Sequence, residues 1–330
     1  MGDHTTPSLA AAVSNSGGLG GLGMWGFSGE EAERRVAGFR QQSGGGLNVN
    51  YPLWDHAGDL TDIGGPMRKL VQALYDTKNA GPIPEPKASV GVVNQEHLAM
   101  LEKMRPEVVS FHFGLPDAET MDAIRSLGIF VISSATTVAE ARQLEAAGID
   151  AIIAQGTEAG GHRGTFTKTD ISMQPGLFAL LPQVVDAVNV PVIAAGGIAD
   201  GRTIAAAIML GASAVQLGTA FLRCGEAQIL DAHREALRNA SDDSTVVSNV
   251  VSGLPARFVK NRLIEELTEP GVEPLPFPAQ MAFMAPLEDT GDGAVAPLYS
   301  GQSAHLTREM AAADLVSTLA EETNRCFSQY

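Results

Sequence analysis

The run Gln155–His162, QGTEAGGH, sets a primary amide, a carboxylate and an imidazole along a glycine-rich stretch, with Arg163-Gly164 directly after it. Glycine lets a backbone approach a ligand closely, and an imidazole exchanges protons near neutral pH. The plain alternative is a surface turn carrying one solvated histidine. The run follows Ile149–Ala154, which is short, mostly apolar and rich in β-branched residues, so these groups stand at the end of an expected strand. Two more glycine runs also follow apolar segments. They are Ala195–Gly201 (AGGIADG), containing Gly196 and Gly197, and Gln216–Thr219 (QLGT), comprising Gln216, Leu217, Gly218 and Thr219. Glycines placed there expose backbone N–H groups at helix N-termini, which suit a phosphate dianion, and Thr219 adds a hydroxyl. Either run alone reads as a turn. After consecutive strands the pair points to a phosphate site.

A third glycine run contains G-x-G-x-x-G at Gly18, Gly20 and Gly23. A dinucleotide fold needs a strand before this pattern, a helix after it and an acidic residue some twenty positions on. Here the pattern follows a helix, opened by Thr6-Pro7, and the acidic residue is missing. A glycine-rich strand against a flat ligand is the better reading.

The elements that position these runs alternate. Strands are expected at 18–24, 46–51, 108–113, 129–133, 149–155, 190–195 and 214–218. Helices are expected near Glu30–Gln41, Met67–Tyr75, Gln95–Met104, Ala118–Leu127, Leu177–Val188 and Arg202–Leu210. Another, opened by the capping box Thr137-x-x-Glu140, ends at Gly148. A loop with Trp54 and His56 interrupts the early part. Strands apolar on both faces with helices between them call for a buried parallel sheet. Seven strands leave an eight-stranded TIM (β/α)8 barrel one short, and the expectation is that the first is missing at the N-terminus, Met1-Gly2 being the remnant of its loop. An open doubly wound sheet competes. After Ala220 the pattern turns irregular, with helices expected over Ala227–Asn239, Arg257–Glu266 and Arg308–Thr323. The expected division is a barrel over 1–221, a helical subdomain and lid loop over 222–302, and a C-terminal helix over 303–330 packing back on the barrel.

Composition narrows the partners. A net charge of -16 argues against nucleic acid and anionic membrane. Two cysteines, Cys224 and Cys326, fit no metal-ligand spacing and suggest a reducing, cytoplasmic setting without disulfides. No metal site is expected, and no apolar run reaches membrane-spanning length.

Taken together, QGTEAGGHRG, IAAGGIADGR and QLGTAFL resemble the nitronate monooxygenase family, formerly the 2-nitropropane dioxygenases. NVN at 48–50, SFHFGLP at 110–116, SATT at 134–137 and YSGQ at 299–302 extend the resemblance over nearly the whole chain. It implies an FMN-dependent TIM barrel with a helical second domain, oxidising alkyl nitronates such as propionate 3-nitronate with O2 to a carbonyl compound and nitrite. It also implies a first strand ahead of the first helix. By the same resemblance Asn50, Gln155 and Gly160 contact FMN, Gly197 and Gln216–Thr219 bind its phosphate, and His162 is the active-site histidine; Gly196, in the same glycine run as Gly197, is counted with the cofactor-binding residues. His162 would orient the nitronate or act as base toward a neutral nitroalkane. His112 lines the mouth or simply packs, Tyr299 and Gln302 close over the flavin, and Glu158 either orients the loop or, the preferred reading, is solvated. The alternatives are an FMN-dependent NAD(P)H-using reductase on the same fold, acting on enoyl-acyl-carrier protein or quinone, and a flavin-binding protein without turnover. Oligomeric state is left open.

Overall fold

The computed structural model describes residues 2–54, 65–85, 91–167 and 170–328; His56 lies outside them. Seven parallel strands form one sheet: β1 (Gly20–Gly23), β2 (Leu47–Pro52), β3 (Val108–His112), β4 (Phe130–Ala135), β5 (Ala151–Gln155), β7 (Val192–Ala195) and β8 (Ala214–Gln216). Each pairs with the next of these in chain order, and helices on the outside connect them, which makes a curled, TIM-barrel-like α/β fold. β1 and β8 end the sheet order, and no ladder joins them among the described residues. Outside, the ring of helices runs on across this opening. The last helix, Ala312–Ser328, packs against both Gly201–Met209 and the first helix, Pro7–Asn15.

Local chemistry sets these elements. Thr6 accepts from the Leu9 N–H and Pro7 opens the first helix, which buries Leu9, Ala10 and Ala11. Asn94, Asp117, Thr137 and Asp200 cap later helices in the same way. Strand side chains alternate between two apolar environments. Leu22, Val49, Val109, Val131, Ile152 and Ala194 pack under the helices. Val108, Ile132, Ala151, Ile153 and Ala195 pack with one another inside the curl. Toward the C-terminal strand ends the inward row becomes polar: Asn50, Ser110, His112, Ser134, Gln155 and Gln216 share that parity. The change from apolar to polar marks the functional end of the sheet.

The tail differs from the sequence expectation. Ala256–Val259 is a strand, β10, where a helix over Arg257–Glu266 was expected, and the helix is confined to Arg262–Leu267 behind the Asn261 cap. All four residues of β10 are buried, and it pairs antiparallel with β9 (Thr245–Ser248) on one side and with β6 (Gly161–His162) on the other. Ladders on both sides outweigh the helical propensity of the segment. The helix expected over Ala227–Asn239 starts only at Asp231, and the last helix is displaced to Ala312–Ser328. A second core joins the helix Pro66–Lys78 to this region through fully buried Phe258, Leu263 and Phe283. Each such side chain contributes about 1.5–3 kcal/mol by burial.

Candidate active site

The loop after β5 is held from within. The Gln155 carboxamide donates to the His162 carbonyl at 3.0 Å and accepts from the Gly164 N–H at 2.8 Å. Arg163, buried behind the loop, donates to the carbonyls of Gln155 and Gly156 and to Gln174. Burial brings its guanidinium down to about 10, so it stays charged at neutral pH. Glu158 is not simply solvated. Both its carboxylate oxygens lie 2.8 Å from the Leu177 N–H, at the first turn of a helix whose N-cap, Gly176, has no side chain to offer.

A second carboxylate anchors the residues that follow. Glu140 is fully buried, and its oxygens accept from the N–H and hydroxyl of Thr136, the Thr165 hydroxyl, the Phe166 N–H, and the N–H and hydroxyl of Thr167. Burial alone would raise its pKa, but hydrogen bonds from Thr165, Thr136 and Phe166 outweigh that and hold it below the usual range. Thr137 does cap the helix, yet the Glu140 side chain reaches away to the 165–167 loop and leaves the capping box half made.

His112 and His162 play different parts. His112 Nε2 lies 3.2 Å from the His162 carbonyl, which can only accept, so Nε2 carries the proton and Nδ1 accepts from the Ser134 hydroxyl at 3.0 Å. Burial takes its pKa down to about 4. His112 is therefore a neutral packed group that, with Gln155, fixes the His162 backbone. The His162 ring stands among Phe113, Phe277 and Tyr299, with centroids 6.1, 5.3 and 5.6 Å away. Trp54 packs edge-on against Phe113 and Phe277. Burial first, and the neighbouring His112 second, lower the His162 pKa to about 3, so its imidazole is neutral at physiological pH. Its Nε2 lies 2.9 Å from the Ser252 hydroxyl oxygen. Phe113 sits at φ 69°, uncommon for a bulky residue, and this conformation turns the chain where its ring enters the cage.

The tail reaches back to the glycine turns. A Cβ on Gly160 would lie 2.5 Å from the Gly301 nitrogen and 2.6 Å from the Ser300 carbonyl carbon. The Gly301 N–H donates to Thr219 Oγ1, and the Gln302 N–H donates to the Glu158 carbonyl. The Gln302 side chain itself is exposed, while the Tyr299 ring packs on Phe258 as well as His162. Gly196 and Gly197 take φ of 113° and 70° beneath the 156–159 loop, a conformation that favours glycine. Leu217 turns its side chain into the outer cores.

A nucleotide-like cofactor can be tested against these groups. The first N–H groups of the helix Gly201–Met209 are already taken: Gly201 donates to Glu322 and Thr203 to Asp200. Two carboxylates make that helix end unsuitable for a phosphate, contrary to the sequence expectation for its terminus. The N–H groups of Gly197, Ile198, Gly218, Thr219 and Ala220 have no hydrogen-bond acceptor among the described residues, and Gly218, Thr219 and Gln216 are open to solvent to varying degrees. Inside the curl, Asn48 Oδ1 is buried without a partner, one layer below Asn50, and β1 presents Gly21, with no side chain. Unpaired N–H groups at one end and a polar, glycine-walled interior at the other fit a phosphate with a planar ring. Among the described residues no group of three or more His, Cys, Asp or Glu could hold a metal ion. No helix among them is long and apolar enough to cross a membrane.

Ser252, Phe277, Arg163 and Glu140 were not singled out as site residues from sequence. Arg163 adjoins the Gln155–His162 loop and Glu140 stands in a capping pattern; Ser252 and Phe277 give no local signal.

The chain is similar to known proteins over almost its whole length. The nitronate monooxygenase family model matches residues 1–322. A nitronate monooxygenase of Pseudomonas aeruginosa is 40% identical, over 96% of this chain and 93% of its own. One from Paraburkholderia phytofirmans is 36% identical, over 100% and 92%. The structure of a nitroalkane oxidase from Streptomyces ansochromogenes superposes with a TM-score of 0.91 at 34% identity, covering 99% of this chain and 94% of that one. FabK from Thermotoga maritima superposes with a TM-score of 0.73 at 27% identity, over 100% and 92%. With the family model covering almost the full length and the βα scaffold shared, this chain is an oxidoreductase enzyme belonging to the nitronate monooxygenase family.

Proposed function

We propose that the enzyme binds FMN and oxidises alkyl nitronates, such as propionate 3-nitronate, with O2 to a carbonyl compound and nitrite. The observation that carries this reading is His162: a neutral imidazole inside an aromatic cage, on a loop fixed by Gln155, His112 and Arg163 at the C-terminal end of a TIM-barrel-like sheet. FMN, when bound, supplies the electron-transfer chemistry.

The chain's own residues hold the cofactor and manage a proton. The N–H groups of Gly197, Gly218 and Thr219 would meet the phosphate, supported by Gly196, Leu217 and the Thr219 hydroxyl. Asn50 and Gln216, both on the inward row, would meet the ring system and its side chain. The Gln155 amide is already engaged on the loop backbone, so it would offer only its remaining Nε2 hydrogen, and Gly160 would serve by admitting the Ser300–Gln302 segment. Phe113, Phe277 and Tyr299 give the His162 ring an apolar surround. A nitronate is already an anion and needs no base. A neutral nitroalkane gives its α-proton to His162, and the C–H electron pair moves into the nitro group. With two free cysteines and no described membrane-crossing helix, we assign the enzyme to the cytoplasm, acting on small molecules.

A pyridine-nucleotide-dependent reductase is the second reading, favoured by the similarity to FabK. Anaerobic mixing separates the two. Bleaching of the flavin absorbance by propionate 3-nitronate is expected. Bleaching by NADH or NADPH, with none by the nitronate, would overturn the proposal.

A further inference from the structure

We propose that Ser252 is a positioning residue that fixes the tautomer of His162, so that Nδ1 is presented as a proton acceptor rather than a hydrogen-bond donor. This rests on the proposed role of His162 and on the hydrogen bonds of Ser252, whose Oγ also accepts from the Leu254 N–H at 3.4 Å. Ser252 is fully buried in the turn that precedes β10. Its Oγ lies 3.0 Å from the Leu254 carbonyl and 2.9 Å from His162 Nε2. A serine has one proton and a carbonyl oxygen can only accept. If the hydroxyl donates to Leu254, its lone pairs face Nε2, which must then carry the imidazole proton.

The reverse assignment is worse on two counts. A hydroxyl donating to Nε2 would withdraw its proton from the Leu254 carbonyl. It would also move the imidazole proton to Nδ1, for which no acceptor exists among the described residues. Nδ1 is not among the buried side-chain atoms without a partner, so it is the ring nitrogen left accessible beside Phe113, Phe277 and Tyr299. One arrangement pairs both Nε2–H and the Ser252 hydroxyl within the protein and leaves an accessible lone pair on Nδ1; the other gives up the Ser252–Leu254 hydrogen bond and turns an Nδ1–H to a position where no group of the described residues accepts it. The backbone is held independently, since the His162 carbonyl accepts from both Gln155 and His112. Ser252 therefore acts on the ring and not on the loop.

The chemical consequence separates two substrates. A neutral nitroalkane must lose an α-proton: the C–H bond breaks, the proton passes to Nδ1 and the electron pair enters the nitro group. A preformed nitronate skips that step. Loss of Ser252 should therefore slow nitroalkane oxidation without equal effect on nitronate oxidation.

The test is imidazole-15N NMR of the His-labelled protein, joined to kinetics on both substrates. Wild type and Ser252→Thr should show His162 protonated at Nε2 with Nδ1 unprotonated, and Ser252→Ala should show a mixture of tautomers. In Ser252→Ala, kcat for the neutral nitroalkane should fall about 10- to 100-fold, as when a partner that orients a histidine is removed, while that for the nitronate changes less than about 3-fold; Ser252→Thr should restore the former. A wild-type His162 protonated at Nδ1, or equal losses on both substrates, would overturn the proposal. An Nε2-protonated His162 in a protein inert toward both substrates would leave the tautomer assignment standing and instead refute the functional reading.

Discussion

Replacing Glu140 by glutamine tests whether a buried carboxylate, rather than apolar packing, holds the 165–167 loop beside the site. The carboxylate accepts from six donors, two at Oε2 and four at Oε1. Glutamine fits the same space but brings one oxygen and an NH2. Its best orientation keeps the oxygen toward Thr165–Thr167 and turns the NH2 toward the Thr136 N–H, which loses its acceptor. An orphaned buried donor costs about 1–3 kcal/mol, and weakening the remaining bonds from charge-assisted to neutral adds to it, for a total near 3 kcal/mol. For a chain of 330 residues, with about 2.1 cal/mol/K of unfolding entropy per residue, that is a fall of about 4 °C in Tm. The sign with pH follows from the depressed carboxyl. Its contribution is complete above the ordinary value of 4.5 and is lost as the pH falls through the lower folded value. Thermal unfolding followed by circular dichroism should show the full gap between wild type and Glu140→Gln at pH 7, narrowing in acid. A variant as stable as wild type at pH 7, or a gap that widens in acid, would show that the ionised Glu140 does not hold this loop.

Two other perturbations follow from the same geometry. Gly160→Ala puts a Cβ against backbone atoms of Ser300 and Gly301, so the 299–302 segment must move away from the loop and from Thr219; a cost of about 1–3 kcal/mol and weakened flavin retention are expected, measured by Tm and by flavin absorbance after dialysis. His112, His162 and His233 all titrate lower in the folded chain, to about 4, 3 and 4, chiefly because they are buried. The unfolded chain binds protons first as the pH drops below about 6.5, so each histidine withdraws on the order of 1–2 kcal/mol of stability between pH 7 and 5; urea midpoints across that range should fall, and midpoints that stay level would contradict it.

The sheet was legible in the sequence because its chemistry is local. Apolar runs such as Ile149–Ala154, capping residues such as Thr6 and Thr137, and glycines such as Gly148 each announce an element within a few positions. Tail elements were not. Ala256–Val259 gives a helix-compatible pattern, and only its partners on both sides make it a strand. The loop Gln155–His162 and its fixed glycines stood out, but the cage around His162 did not, since Phe277 and Ser252 come from irregular segments far along the chain. Glu158 and Glu140 show the same limit. A carboxylate in a loop or at a helix start looks solvated until distant N–H groups, those of Leu177 or Phe166, are brought to it.

In the proposed function His162 faces the substrate, and cofactor binding is left to other residues. His162→Asn keeps a polar amide near the Nδ1 position but has no basic nitrogen and falls short of Ser252. Nitrite release from a neutral nitroalkane under O2, measured beside the flavin-to-protein absorbance ratio, tests it directly. An unchanged flavin ratio is expected, with nitrite release lowered about 100-fold or more, the scale of a lost general base. Wild-type nitrite release, or loss of the flavin in step with activity, would contradict it.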